Sequence, residues 1–333
     1  MNGKPQRQQE FEALRGLSIL LLMALHSEVF DSSVFGFEVG PLAGVVASFL
    51  LGSFFFLAGY FTEYSIQKSD GNILGFFKSK FIRIFPPYWL ALALFIFVLG
   101  YTLKRFDTLA YILNLQWLLS PVFIKQVLTI WYISVLVGYY IIFGILLFTI
   151  RSAVTSAILS VIIFAGTYIT NALTGLFEPR FFQYFFIFLA GVYFFRFEAV
   201  RNRLLDLGFI YKVIIAIVTV IPFWMVSASG YNVTDGLFIL TADIFILGWV
   251  LLWLSIFRTG IGNWKIWAFL STASLFTYLY HRPIWKVFEI AFGLEPGIQR
   301  VFVNLIPGAI VALILGYYLQ RGYDWLLSLL RLK

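Results

Sequence analysis

"GLFILTADIFILGWVLLWLSIF" (residues 236–257) is an apolar stretch in which Asp243 is the only charged side chain. A helix needs about 20 such residues to cross a bilayer. Similar runs recur along the 333-residue chain, which is 61% hydrophobic and only 12% charged, whereas a soluble domain carries about 25% charged residues. The runs do not alternate apolar and polar residues as barrel strands do. These features predict an all-α integral membrane protein.

About ten transmembrane helices are predicted from the apolar runs. Most of the 24 Lys and Arg residues fall in loops on the side of the two termini. The positive-inside rule therefore places both termini in the cytoplasm. The predicted segments are 14–30, 41–63, 81–100, 128–149, 153–172, 181–196, 209–228, 236–257, 266–291 and 299–320.

The whole chain, 1–333, is predicted to be one transmembrane domain, with a membrane bundle at about 14–320 and short cytoplasmic tails. We expect neither a cleavable signal nor an appended soluble domain. An amphipathic piece, "DTLAYILNLQWLLS" (107–120), is expected to lie at a membrane interface. The chain has no Cys, which excludes disulfides, a thiolate nucleophile and a Cys-based metal site. The net charge of +8 is spread over several loops and fits topology rather than nucleic-acid binding.

The first apolar segment carries two costly polar residues in "EALRGLSILLLMALHSEVF" (12–30). Arg15 and His26 are eleven positions apart, so a helix turns by about 1100° between them and places both on one face, about 16 Å apart. Glu12 lies on the same face and can pair with Arg15. Ionisable residues inside a span are usually functional. The structural alternative for His26 is an interhelical hydrogen bond that only holds helices together.

The second histidine stands in "SLFTYLYHRPIWKVFE" (274–289), where Pro283 frees a backbone carbonyl. Freed polar backbone inside a membrane usually lines a cavity. His281 is predicted at the same depth as His26, which suggests a polar chamber that both imidazoles face. Two His and no Cys make a metal site the weaker interpretation. Three- and four-residue spacing places four side chains on one helical face: Tyr278, His281, Arg282 and Trp285.

A basic group opens the third segment in "KSKFIRIFPPYW" (78–89). The positive-inside rule alone explains Lys78, Lys80 and Arg83. The same three cations could hold the phosphates of an anionic cofactor. Further upstream, "GSFFFLAGYF" (52–61) mixes small residues with aromatic ones, which favours close approach of two helices.

These motifs resemble those of membrane-bound acyltransferase family 3, over nearly the whole chain. The Arg and His of the first segment, with Glu12 before them, match the most specific motif of the family. Arg83 and Pro86 match its basic motif, and "SLFTYLYHRP" (274–283) matches its late Ser, Tyr, His and Pro motif. Three departures are present: Ala58 replaces a usual Ser, Leu275 replaces a usual Tyr, and Leu136 and Val137 stand where one branch has Glu.

The resemblance implies an O-acyltransferase of a bacterial cytoplasmic membrane. The implied donor is cytoplasmic acyl-coenzyme A, commonly acetyl-CoA, and the implied acceptor is a hydroxyl of a cell-surface glycan or lipid-linked saccharide. The lipid bilayer is the other expected partner, with no metal and no nucleic acid. Within the site, His26 is the expected general base. The remaining expected roles are catalysis or positioning for Arg15, His281 and Tyr278, phosphate binding for Arg15, Lys78, Lys80 and Arg83, and acceptor binding for Arg282, Trp285 and Glu28.

Two other classes of function fit a polar chamber inside a helical bundle. One is a transporter or flippase for a glycan or lipid precursor. Transporters commonly contain paired repeats with broken helices at corresponding positions, and the two His segments do not resemble each other. The other is a scaffold subunit of a polysaccharide export complex.

Overall fold

The computed structural model describes residues 8–31 and 40–332, and within these ranges it contains helices and no strand. This confirms the predicted all-α class. A 3₁₀ turn covers Gly260–Asn263 and a π-helical turn covers Asn304–Gly308. The helices are α1 (Gln9–His26), α2 (Gly40–Lys68), α3 (Ile73–Phe97), α4 (Arg105–Ile112), α5 (Gln116–Leu119), α6 (Trp131–Thr149), α7 (Ala153–Thr174), α8 (Pro179–Gln183), α9 (Phe185–Arg196), α10 (Glu198–Asp206), α11 (Phe209–Ala228), α12 (Gly236–Phe257), α13 (Lys265–Phe292), α14 (Ile298–Val303) and α15 (Ala309–Leu329).

Seven helices in the described ranges are long and apolar enough to cross a membrane, or up to eight if a bent pair counts as one span. The seven are α2, α3, α6, α7, α11, α12 and the continuous run Ile298–Leu329. The bent pair joins Pro179–Arg196 to α10 at an angle of 99°. The chain is thus a membrane protein, whereas the count of ten and the side of the termini stay predictions. The amphipathic piece at 107–120 forms the two short helices α4 and α5.

The two helices that carry the histidines, α1 and α13, lie in the middle of the bundle. Helix α1 packs against α2, α12 and α13, and α13 also packs against α15. By contrast, α7 and α11 leave most of their apolar side chains exposed, as helices at the lipid boundary do. Charged groups inside a membrane are tolerated where they face the bundle interior. The central position of α1 and α13 therefore explains how they accommodate Arg15 and Arg282.

Helices α2 and α9 approach each other at two glycines. A Cβ added at Gly59 would lie 1.9 Å from the carbonyl oxygen of Phe188. A Cβ added at Gly191 would lie 2.0 Å from the carbonyl oxygen of Phe56. The close helix approach predicted for residues 52–61 is confirmed, because backbone from each helix fills the space that a side chain would need.

We expect Gly191→Ala to destabilise the protein by about 1–3 kcal/mol, the usual cost of overpacking. The obstructing atom belongs to the backbone of α2, so no side-chain rotation relieves the clash. The matched control is Gly166→Ala in α7, where an added Cβ meets no atom within 4 Å. Thermal unfolding of the two variants in the same detergent measures the difference. An equal midpoint for both variants would contradict the contact between α2 and α9.

Candidate active site

The end of α1 and the middle of α13 bring the two histidines into direct contact. Nδ1 of His26 lies 2.8 Å from Nε2 of His281. The ring planes differ by 12° and the ring centroids are 4.9 Å apart. Because the nitrogens are much closer than the centroids, the rings meet edge to edge through a hydrogen bond. His281 is fully buried, whereas His26 is partly accessible.

The partners of His281 determine which nitrogen of each ring carries a proton. Nδ1 of His281 lies 3.0 Å from the carbonyl oxygen of Thr277 and 2.9 Å from that of Tyr278. Carbonyl oxygens only accept, so this Nδ1 must carry the proton and Nε2 of a neutral His281 must accept. His26 then donates from Nδ1 to His281. The remaining nitrogen, Nε2 of His26, is left with a free lone pair, and it has no hydrogen-bond partner among residues 8–31 and 40–332.

A cavity of about 420 Å³ opens between α1, α2, α3, α6 and α13. Three cations stand in its wall, and the rest of the wall is mostly aromatic and aliphatic. No acidic residue is found among the described residues that line it. Its lining is Arg15, Phe54, Ala58, Phe61, Tyr64, Ser65, Lys80, Arg83, Ile84, Tyr132, Ile133, Leu136, Tyr140, Ser274, Leu275 and Tyr278.

Tyr278 lines this cavity and lies about one helical turn before His281 on α13. The ring of Tyr278 packs edge-on against Tyr132 with centroids 5.2 Å apart, and its hydroxyl donates to the carbonyl oxygen of Thr129. Neither histidine is in the lining of this cavity, so a single chamber that both histidines face stays a prediction. A catalytic role of Tyr278 stays a prediction.

Two of the three cations of the cavity lie against aromatic rings. The guanidinium of Arg15 lies 5.5 Å from the centre of the Phe61 ring. The ammonium of Lys80 lies 4.6 Å from the centre of the Tyr140 ring. Within the described part of the chain, Arg15, Lys80 and Arg83 form no salt bridge. Their positive charge is therefore available to an anionic ligand.

Lys78 is separated from the other predicted phosphate-binding residues. Two positions along a helix correspond to a rotation of about 200°, so Lys78 and Lys80 point to opposite sides of α3. Lys78 lines a neighbouring cavity, and Arg83 lines both. The structure thus brings Arg15, Lys80 and Arg83 together and leaves Lys78 outside this group.

The predicted acceptor residues lie on the other side of the histidine pair. Trp285 is buried, and its ring packs edge-on against His281 with centroids 5.1 Å apart. Glu28 forms an ion pair with Arg300. The Nε atom of Arg282 is buried without a hydrogen-bond partner within the described ranges. The structure therefore places Arg282 and Trp285 beside the pair, while Glu28 is engaged by another cation.

Several contributors to the site were not predicted from the sequence. Tyr132 and Tyr140 line the cavity from α6, together with Leu136, which the sequence analysis named only as a departure from the family pattern. Their four-residue spacing puts them on one helical face, which was a usable signal. The carbonyl of Thr277, which fixes the tautomer of His281, has no sequence signal, because every residue carries a carbonyl group.

The family model for acyltransferase family 3, described as an acyltransferase domain, matches residues 8–321. The chain belongs to this family. No curated protein and no solved structure shows a significant match. In this acyltransferase domain, four residues that match the family motifs line the cavity: Arg15, Arg83, Ser274 and Tyr278. Three positions at which the chain departs from the motifs line it as well: Ala58, Leu136 and Leu275.

Proposed function

We propose that this acyltransferase moves an acyl group, expected to be acetyl, from cytoplasmic acyl-coenzyme A to a hydroxyl group of a cell-surface glycan or lipid-linked sugar. The observation that supports this proposal best is the contact between His26 and His281. It leaves one unprotonated ring nitrogen at a partly accessible position, which is what a general base for a hydroxyl group requires.

In the proposed reaction the acceptor hydroxyl gives its proton to Nε2 of His26 while its oxygen attacks the thioester carbonyl carbon. A C–O bond forms and the C–S bond breaks. The departing thiolate takes the proton from His26, which restores the neutral pair. His281 acts as a positioning residue: it accepts from Nδ1–H of His26 and keeps the lone pair of Nε2 directed away from itself.

The cavity is the proposed binding site of the donor. Arg15, Lys80 and Arg83 supply positive charge that suits phosphates, and the aromatic wall suits the long, weakly polar arm of coenzyme A. The arm would run along α13 toward Tyr278, and the acyl group would then lie close to the histidine pair. A ligand of this shape accounts for both the charge and the apolar character of one cavity.

The proposed acceptor side is the surface around Arg282 and Trp285. The buried ring of Trp285 packs against His281 and holds it in place. The unpartnered Nε of Arg282 can donate to an acceptor oxygen. The ion pair of Glu28 with Arg300 borders this surface.

For the membrane topology we propose ten spans in a bacterial cytoplasmic membrane, with both termini in the cytoplasm. We also propose one domain over residues 1–333, with the membrane bundle at about 14–320. The count adds the bent pair, α1 and α13 to the seven apolar helices. Two ion pairs support this topology, because each joins helix ends that it assigns to the same side of the membrane. Glu63 and Arg196, on the predicted inner side, form a buried ion pair of 2.8 Å, and Glu28 and Arg300 pair on the predicted outer side.

A reconstitution experiment tests the proposal against transport. Purified protein in liposomes is given acetyl-CoA labelled in the acetyl group, together with surface glycans extracted from a strain that lacks the gene. We expect label to enter the glycan as an ester that mild alkali removes. Movement of a glycan or lipid across the bilayer without acetyl-CoA, and with no label transferred, would instead establish a transporter.

A further inference from the structure

A second cavity of about 310 Å³ lies beside the first, at the end of the bundle that the topology assigns to the cytoplasm. It is formed by the first half of α3 and by the residues at the end of α15. Its lining is Gly75, Lys78, Ser79, Ile82, Arg83, Leu327, Arg331 and Leu332.

Three of these residues are cations: Lys78, Arg83 and Arg331. Among the described residues of the lining none is acidic, and none of the three cations forms a salt bridge with any described residue. The positive-inside rule explains why cations are frequent on this side of the membrane. It does not explain why three cations from helices far apart in the sequence line one concave site. Like charges placed together without partners repel each other, and a bound anion removes that cost.

Arg83 lines both cavities, so the two cavities are direct neighbours. A single elongated ligand can therefore occupy the second cavity with one end and the first cavity with the other. The two cavities differ in character in a way that matches such a ligand. The second is small and has three cations in a lining of eight residues, whereas the lining of the first is mostly aromatic and aliphatic and includes Tyr278 near the histidines on α13.

We propose that the second cavity binds the phosphate-bearing nucleotide end of the acyl donor, with Lys78 and Arg331 as phosphate ligands and Arg83 at the junction. This inference rests on the proposed function. It divides the donor between two sites: the phosphorylated nucleotide lies beside α15, and the arm that carries the acyl group lies in the cavity of Arg15 and Lys80.

The same phosphate chemistry is offered by the headgroups of anionic lipids, which gather on the cytoplasmic side of a membrane. The two sources of phosphate predict different effects when the site is lost. If the nucleotide end binds there, donors with and without a nucleotide respond differently to a variant. If a lipid headgroup binds there, the effect of a variant depends on the membrane and not on the donor.

The experiment compares Arg331→Gln with Arg203→Gln, whose side chain is exposed on α10 and lines neither cavity. Each variant is reconstituted in nanodiscs of phosphatidylcholine alone, and then with added phosphatidylglycerol. Acetyl transfer is measured with acetyl-CoA and with acetylpantetheine, which lacks the nucleotide. For Arg331→Gln we expect KM for acetyl-CoA to rise about tenfold, the effect of one lost charge-assisted contact, with kinetics for acetylpantetheine unchanged. Arg331→Lys should recover part of the loss.

Equal losses of activity in Arg331→Gln with acetyl-CoA and with acetylpantetheine would overturn the proposal. A loss of activity seen only in nanodiscs with phosphatidylglycerol would also overturn it, because it identifies a lipid site. A second measurement does not need turnover. We expect 3′-phosphoadenosine 5′-diphosphate to raise the thermal midpoint of the wild type and of Arg203→Gln. In the double variant Lys78→Gln/Arg331→Gln the same nucleotide should raise the midpoint much less. Equal stabilisation of all three overturns the site. A protein that binds this nucleotide but transfers no acetyl group would instead contradict the proposed reaction.

Discussion

Replacement of His26 by Ala is expected to reduce acyl transfer by roughly 10²- to 10⁴-fold, the contribution of a general base. In the structure His26 holds the one ring nitrogen of the pair that can take a proton from an acceptor. Alanine also removes the donor that satisfies Nε2 of the buried His281, which costs about 1–3 kcal/mol of stability. Activity must therefore be measured per folded protein, with the folded fraction taken from size-exclusion chromatography and thermal unfolding.

His26→Asn separates the chemical loss from the structural one. The amide nitrogen of Asn can occupy the place of Nδ1 and donate to His281, but the side chain has no nitrogen that takes up a proton. We expect stability near that of the wild type and activity as low as in His26→Ala. Substantial activity in His26→Asn would mean that His26 only joins α1 to α13, which is the structural interpretation of an intramembrane histidine.

His281 is expected to behave as a positioning residue, with a smaller loss that depends on the replacement. Leu at this position cannot accept from His26, and we expect a loss of roughly ten- to hundredfold, the size found for groups that orient a functional imidazole. Gln can accept through its amide oxygen and should retain much more activity than Leu. Steady-state rates of the two variants, compared with their thermal midpoints, check this expectation. Identical losses for Leu and Gln would contradict the hydrogen-bonded pair.

The sequence predicted which side chains belong to the site better than it predicted the contacts between them. Eleven-residue spacing placed Arg15 and His26 on one face of α1, and span depth placed His281 level with His26. The hydrogen bond between the histidines depends on how closely α1 and α13 approach, which is set by long-range packing. Gly16 allows this approach, because a Cβ there would meet the Trp267 ring at 2.9 Å. Nothing in the local sequence around Gly16 indicates which residue it faces.

The aromatic wall of the cavity could not be predicted for a similar reason. Polar residues on α1 and α13 indicated a cavity between these helices, and the cavity that exists is bounded by aromatic rings from α6 as well. Tyr132 and Tyr140 belong to an apolar span whose local pattern is typical of packing. Their function in the lining depends on the position of α6 beside α2 and α3, and helical spacing alone does not specify which helices become neighbours.

Filling the cavity is expected to abolish turnover of acyl-CoA without touching either histidine. Ala58 lies in the wall of the cavity on α2, and Leu136 and Ser274 line it from α6 and α13. An indole at position 58 would take up much of the space of about 420 Å³, so Ala58→Trp should lose at least as much activity as His26→Ala. Ala58→Ser is the conservative counterpart. Its hydroxyl can bond to a carbonyl one turn back, as Thr62 does with the Ala58 carbonyl at 2.7 Å, and activity should stay near the wild-type value.

Ile158→Trp is the matched control for the added indole, because Ile158 is exposed on the lipid-facing side of α7. The variant enlarges the protein without filling a cavity, and we expect normal rates and normal binding of coenzyme A. Ala58→Trp, by contrast, should lose coenzyme A binding measured by calorimetry in detergent, while its thermal midpoint shows that the bundle is still folded. A folded Ala58→Trp protein with the wild-type KM for acetyl-CoA would place the donor outside this cavity. The positive-inside rule alone would then explain the cations Arg15 and Lys80. The thioester of the donor would have to reach His26 by another route through the bundle.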